Sequence, residues 1–351
     1  MHLLILDGES FFTPKVVRSL AQTGRWQLHV LARRTQARQP GLRWSRHVSS
    51  YHVADDGDYF AAVDRVVRST GASLILPVTE PTVLWTIQHQ DALRRLAHVV
   101  PVPAGEHFET AIDKGRLAVL LAHTGIPHPR TVLATDPAAG ALRFPLLVKP
   151  RRSCNGHGIA KVHNREELDA ALHGLSDIAD FCVQEYIEGE DHGCSILARD
   201  GEVLAWTTQR GLRRARPFAT HVEIGIEEHR PVLEVARRLL RELKWSGVAN
   251  IDFRVETGTG RSLVLEVNGR YWASLLASTA AGVNFPDLQV RTALGERIVF
   301  PQSRSGRFVQ PRAYGRDLLR LHPRLLRRQW TDFWDLLADP LPGLMARASS
   351  L

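Results

Sequence analysis

Cysteine is scarce in this chain: only Cys154, Cys182 and Cys194 occur among 351 residues. Three thiols at those spacings form neither a disulfide framework nor a Cys-x-x-Cys metal motif, and the cytoplasm is the default compartment. Long apolar runs are missing too. No stretch of about 18 uncharged apolar residues occurs, so no membrane span is expected. The opening stretch, residues 1–12, has too short an apolar run and no basic leader, and it reads as a strand rather than a signal peptide. No Gly-x-Gly-x-x-Gly follows that strand, which leaves a dinucleotide site unsupported. Helix-turn-helix, zinc-finger and aromatic RNA-binding signatures are absent as well. The net charge of +8, carried largely by arginine, therefore points to phosphates or anionic metabolites ahead of nucleic acid.

What the chain does contain is a hairpin pattern from Trp245 to Trp272. In the first run, Asn250, Asp252 and Arg254 alternate with Ile251, Phe253 and Val255. In the second, Glu266 and Asn268 oppose Leu263, Leu265 and Val267. A period of two marks half-buried strands, and the Gly-containing connection between them reads as a turn. Folding the hairpin about Thr259 sets Asp252 opposite Glu266 and Asn250 opposite Asn268. Two carboxylates that close repel each other and need a counter-charge, for which a hard cation such as Mg²⁺ is the economical solution. For an arbitrary hairpin a solvated polar face would explain as much. Arg270, just past the carboxylates, adds a permanent cation suited to a transferring phosphate or a developing anion.

This pattern, Asp252 followed by Glu266-Val267-Asn268-Gly269-Arg270, resembles the metal-binding end of the ATP-grasp superfamily. There, a carboxylate or amide precedes Glu-x-Asn-x-Arg on the next strand. Further landmarks follow in the order that the resemblance requires. Residues 1–110 alternate strands (His2–Leu6, Trp26–Leu31, Ser73–Pro77, His98–Val102) with helices at Thr13–Ala21 and Tyr59–Ser69, which implies a parallel, Rossmann-like sheet. Loops after such strands carry ligands, and Asp7–Ser10 and Thr79-Glu80 occupy those places; turn and cap roles suit them equally. A helix opening at Ala111–Leu117 ends near Gly125-Ile126-Pro127-His128-Pro129. The resemblance gives Lys114 in that helix a phosphate contact.

Phe144–Pro150 is an apolar strand ending in Lys149, a position that suits a point contact to phosphate. The loop Arg151–Ile159 follows, and its Gly156 and Gly158 allow backbone N–H groups to approach a polyphosphate. It resembles the family's glycine-rich loop, with Cys154, Asn155 and His157 interspersed. Gln184-Glu185-Tyr186-Ile187 then matches the family's hinge, whose backbone reads adenine, and Asp191 matches the acceptor for the ribose hydroxyls. The run Arg210–Pro217 reads as a loop interrupting the strand Glu202–Gln209. As a solvated loop or a substrate contact its odds are even, with Arg210 the leading candidate and His221 and Glu80 beside it. Pro231–Leu243, Ala273–Ala281 and Phe285–Gly295 read as helices. From about Val299 the chain turns basic, and an amphipathic helix around Asp317–Leu326 could pack on the core, mediate a homodimer or cover the site.

The fold expectation is α/β, with α+β character in the ATP-binding part. It comprises an N-terminal Rossmann-like domain (1–110), a first ATP-grasp lobe with a small β-rich lid (111–183), a core with the metal site (184–298) and a basic helical tail (299–351). The short Asn-Gly-Arg-Tyr-Trp-x-Ser version of the motif and the Asp339–Pro342 tail resemble stand-alone carboxylate–amine ligases, the carbamoyl-phosphate-synthase-like kind. The resemblance implies ATP and Mg²⁺ (or Mn²⁺) as cofactors and a small carboxylate and an amine as substrates. Asp252, Glu266 and Asn268 would hold the metal, Lys114 and Lys149 the phosphates, and Arg270 and Lys149 would serve catalysis. An ATP-dependent kinase and a nucleotide-binding regulator share the same nucleotide half and stand as alternatives.

Overall fold

A computed structural model describes residues 1–34, 41–55, 57–153, 156–214, 216–310 and 337–342. The N-terminal domain is a parallel five-stranded sheet, β1 (His2–Ile5), β2 (Gln27–Arg33), β3 (Val48–Ala54), β4 (Leu74–Leu76) and β5 (His98–Val99), in the order β3-β2-β1-β4-β5. Helices α1 (Thr13–Ala21), α2 (Tyr59–Thr70), α3 (Glu80–Gln88) and α4 (Gln90–Arg94) connect the strands. The strand runs are apolar on both faces because both are covered: Leu3 and Ile5 pack into one cluster, Leu4 and Leu6 into another. The pattern-based reading had omitted β3, whose mixed sequence carries no clean period. Thr13, just ahead of Pro14, is the first helical residue of α1, and its hydroxyl donates to Asp7 O at 2.5 Å.

The predicted helix at residue 111 is two helices, α5 (Gly105–Ile112) and α6 (Lys114–Thr124), broken at Asp113. The Asp113 carboxylate caps α6 through Gly115 N (2.9 Å) and Arg116 N (3.1 Å), which satisfies two amides that have no partner inside the helix. The lid follows as a four-stranded sheet, β6 (Thr131–Leu133), β7 (Leu146–Pro150), β8 (Ala160–Val162) and β9 (Phe181–Glu185), in the order β6-β9-β7-β8. Helix α7 (Arg165–His173) lies against β7 and β8.

The core sheet has six strands. In chain order they are β10 (Gly189–Arg199), β11 (Glu202–Arg214), β12 (His221–Ile226), β13 (Gly247–Glu256), β14 (Ser262–Asn268) and β15 (Gly306–Val309), and their spatial order is β14-β13-β10-β11-β12-β15. Helix α8 (Arg230–Glu242) buries Val232, Leu233, Ala236, Leu239 and Leu240 against the face that carries Cys194, Ile196, Ile251 and Phe253. Two helices, α9 (Leu275–Ala280) and α10 (Phe285–Ala293), complete the core; α9 is shorter than its apolar run suggests.

Two boundaries move. β11 continues through Arg214, so Arg210–Arg214 are strand residues and not a loop. Residues 306–309 are not part of a helical tail, because they pair antiparallel with β12 and form the far edge of the core sheet. Of the basic tail, Asp317–Leu326 and the other positions between 311 and 336 lie outside the described residues. The piece 337–342 packs on the N-terminal domain, where the buried Asp339 accepts from Ser45 Oγ at 2.5 Å and Arg46 N at 3.1 Å. Among the described residues no helix is long and apolar enough to cross a membrane.

Candidate functional site

Lid and core sheets face each other across a cleft of about 780 Å³, within the usual range for a nucleotide-sized ligand. At its inner end the β13–β14 hairpin pairs Asp252 with Glu266 and Asn250 with Asn268, the register expected from the sequence. Burial drives the Asp252 carboxyl well above its ordinary pKa, and the neighbouring Glu266 adds to the rise. The same burial acts on Glu266, yet Lys114 and Lys149 hold it down at about 2. The two neighbouring carboxyls are thus pushed apart, Glu266 downward and Asp252 upward. Asn250 Nδ2 (2.8 Å) and Asn268 Nδ2 (3.2 Å) both reach Asp252.

Lys114 Nζ lies 3.0 Å from Glu266 Oε2 and donates to Ser153 O at 3.1 Å. Burial would lower this ammonium, but Glu266 outweighs it and the pKa rises. Lys149 is buried at the end of β7, and its Nζ donates to Gln184 Oε1 at 2.8 Å; here burial dominates and the pKa falls. Arg270 Nη2 donates to Asn268 Oδ1 at 3.0 Å, Nη1 donates to Tyr271 O at 2.8 Å, and its guanidinium sits 4.4 Å over the Phe12 ring. These partners fix the cation beside the carboxylate pair. The donor set is rich in oxygen and free of thiol and imidazole, which fits a hard divalent cation. Asn268 would offer its oxygen only by turning from Arg270. No cluster of three or more His, Cys, Asp or Glu placed to hold a metal occurs among the described residues. A cation here would therefore complete its shell with ligand oxygens and water.

The opposite end is lined by the hinge. Gln184, Glu185, Tyr186 and Ile187 all face the cleft. Two of the hinge amides are already committed, Glu185 N to Arg130 O (3.0 Å) and Tyr186 N to Pro145 O (2.9 Å). A purine ring would therefore be read by the remaining groups around Ile187. Asp191 lies in the cleft but is heavily engaged. Arg254 Nη1 is at 2.6 Å, His221 Nε2 at 3.3 Å, and Arg214 forms a further close ion pair. Burial would raise this carboxyl, yet His221, Arg214 and Arg254 hold it at about 2. His221 reaches Asp191 because residue 211 on the facing strand is glycine: a Cβ there would lie 2.2 Å from the imidazole.

Of the glycine-loop residues, Gly156 lines the cleft at φ +71°, and a Cβ would collide with Phe218 O at 2.3 Å. Gly158 sits at φ +74° against Pro150, outside the lining, and Asn155 lies outside the described residues. The loop and the turn before β12 therefore meet over the cleft.

Two expected substrate residues are not brought into the cleft lining. Arg210, opposite His192 in the β10–β11 register, does not line the cleft and meets Glu227 (3.2 Å) and Glu190 (3.6 Å). Glu80 opens α3 behind Arg270, 3.7 Å from its Nε. The arginines that line the cleft are Arg214, Arg216, Arg254 and Arg270. Leu265 also lines it, because the β13–β14 register slips by one between Asp252 and Phe253, and Val264 takes its place opposite Phe253. The run Leu263-Val264-Leu265, which cannot alternate, was the available signal of that bulge.

A family model described as "ATP-grasp in the biosynthetic pathway with Ter operon" matches residues 177–312. The chain is similar to the carbamoyl phosphate synthase large chain of Thermoanaerobacter sp. (28% identity), across 58% of this chain and 20% of that protein. It is also similar to the D-alanine–D-alanine ligase of Carboxydothermus hydrogenoformans (26%), across 51% of this chain and 66% of the ligase. In each case it spans less than two thirds of the relative. The N5-carboxyaminoimidazole synthetase of Staphylococcus aureus superposes with a TM-score of 0.69 over 92% of this chain and 86% of its own, at 14% identity, a likeness of fold. Architecture, the family model matched over residues 177–312 and the order of the landmarks along the sequence all show likeness to ATP-grasp proteins.

Proposed function

We propose that this protein is an ATP- and Mg²⁺-dependent ligase that joins a small carboxylic acid to an amine. The observation that carries the reading is the convergence of Asp252, Glu266, Lys114, Lys149 and Arg270 at the inner end of one cleft. Kinship with a D-alanine–D-alanine ligase supports it. Asp252 and Glu266, with Asn268 turned toward them, would hold Mg²⁺ or Mn²⁺, which neutralises phosphate charge when bound.

The chain's own residues mostly position and neutralise, as phosphoryl transfer requires. Lys114 and Lys149 are aimed at the phosphates from helix and lid, and the apolar walls Leu147, Ile187 and Leu265 would flank the adenine. An oxygen of the acid attacks the γ-phosphorus, the bond to ADP breaks, and an acyl phosphate results. The amine then attacks the carbonyl carbon and inorganic phosphate leaves, the amine proton passing to solvent or to the departing phosphate. Arg270, held by Tyr271 O and released by Asn268 when that amide turns to the metal, faces the anion that develops. The contact of Gly156 with Phe218 over the cleft would keep water from the acyl phosphate. Cys182 and Cys194 are free and buried, which fits a reducing compartment, and we assign the protein to the cytoplasm.

The test is ADP release from purified protein and Mg-ATP across pools of small acids, with hydroxylamine present as the trap. Acid-dependent ADP with a hydroxamate is expected. ADP accompanied by a stable phosphorylated product and no hydroxamate would replace the ligase with a kinase, and nucleotide binding without turnover would favour a regulator.

A further inference from the structure

The loop between β1 and α1 carries two phenylalanines that the chemistry above leaves unused. Phe11 and Phe12 both line the cleft, their rings 5.7 Å apart and edge to face at 68°. Phe12 packs against the core cluster that holds Trp272 and supports the Arg270 guanidinium at 4.4 Å. Phe11 is different. It stays 47% exposed, although Lys15 Nζ stands 3.3 Å from its ring centroid.

The loop that presents them is rigidly built. Asp7, at φ +62° and 2% exposed, accepts from Val78 N (3.0 Å) and Thr79 N (2.9 Å), and also bonds the Thr82 hydroxyl. Glu9 Oε2 accepts from Arg33 N at 2.8 Å, and Ser10 Oγ accepts from Phe12 N at 3.2 Å. Three loops at the carboxyl edge of the parallel sheet are thereby tied together. A buried carboxylate serves as the knot, and what the knot holds toward the cleft is an aromatic pair. A turn or cap role accounts for Asp7 and Glu9 but not for two adjacent phenylalanines facing a cleft whose neighbouring walls are charged.

Resting on the ligase reading, we propose that the acid substrate carries an apolar side chain, aliphatic or aromatic, which lies on the Phe11–Phe12 shelf. A carboxylate at Arg270 and the Asp252–Glu266 end is directly beside Phe12, so the group attached to its α-carbon extends over Phe11. Covering an exposed phenyl face removes apolar surface from water on both partners. A glycine-sized or acidic side chain would gain nothing there, and an acidic one would be desolvated without a partner.

The experiment titrates L-phenylalanine, L-leucine, 3-phenylpropanoate, glycine and L-aspartate into the protein by calorimetry, with Mg²⁺ and a non-hydrolysable ATP analogue present. ADP release is measured with Mg-ATP on the same acids. Wild type is expected to bind the apolar acids at least tenfold more tightly than glycine or aspartate. Phe11→Ala should reduce that preference about tenfold, and Phe11→Leu should restore most of it. An unchanged melting temperature in both variants checks the fold.

Selective binding without ADP release would keep the shelf and remove the ligase. Equal turnover of small or acidic acids, unaffected by Phe11→Ala, would keep the ligase and overturn the shelf. Failure of every apolar acid to bind would overturn the shelf as well.

Discussion

Lys114 Nζ stands 3.0 Å from Glu266 Oε2, so the first residue of α6 is ion-paired to the β14 member of the carboxylate pair. This contact explains the unequal ionisation of the two carboxyls. Lys114, with Lys149 behind it, holds the Glu266 carboxyl down, while burial and the neighbouring Glu266 push Asp252 up. Replacing Glu266 by Gln removes both the charge that Lys114 answers and the repulsion on Asp252. ADP formation should fall at least about 100-fold, the scale of losing one preorganised electrostatic contact. Thermal stability should fall as well, because the buried Lys114 loses the anion it is paired with. Wild-type ADP formation in Glu266→Gln would refute the site assignment.

Lys149→Met tests the second cation. Met matches the length of the side chain and brings no charge into a site where burial already lowers the ammonium pKa. Gln184 keeps its other contact, from Nε2 to Thr131 Oγ1 at 2.7 Å. The melting temperature should therefore hold or rise, while kcat/KM for ATP drops by about 100-fold or more. A melting temperature several degrees lower would mean that Lys149 supports structure, and the phosphate role would lose its main argument.

The carboxylate pair was legible because its register follows from two alternating runs and one turn, a purely local computation. Lys114, Lys149 and the hinge were legible as an ordered series along the chain. What escaped depends on non-local pairing. Leu265 reaches the cleft through a bulge that breaks the alternation. Arg210 leads the sequence reading but Arg214 lines the cleft, because β11 runs on past Gln209, where it pairs with β12. Phe11 and Phe12 read simply as residues before a helix, since nothing local reveals that their loop faces a sheet more than 170 residues downstream.

Asp191 makes a pH prediction with a definite sign. Burial would raise its carboxyl, yet His221, Arg214 and Arg254 hold it at about 2, below the ordinary aspartate range. A depressed folded pKa gives stability that is present above the unfolded value and lost as pH falls from about 4 to about 2. Asp191→Asn should melt below wild type at pH 7, because Arg254 and Arg214 lose their anion. That gap should narrow between pH 4 and pH 2. A gap constant from pH 7 to pH 2 would mean that the ion pairs contribute nothing net to the fold.

Because burial and Glu266 raise the Asp252 carboxyl, metal binding there should be a proton-releasing event. A cation between the two carboxyls requires both to be ionised, and Asp252 holds its proton well above pH 3.8 because of burial and Glu266. Mg²⁺ affinity, measured with a non-hydrolysable nucleotide bound, should therefore weaken as pH drops through the raised Asp252 value. The heat of binding should differ between two buffers of unequal ionisation enthalpy. Asp252→Asn should weaken Mg²⁺ binding and remove most of that buffer dependence, since the remaining carboxyl, Glu266, is already charged. Glu266→Gln should weaken Mg²⁺ binding too, but with Asp252 relieved of its neighbour the proton release should decline rather than shift to higher pH. Equal heats in both buffers for wild type would show that Asp252 is already ionised before the metal arrives.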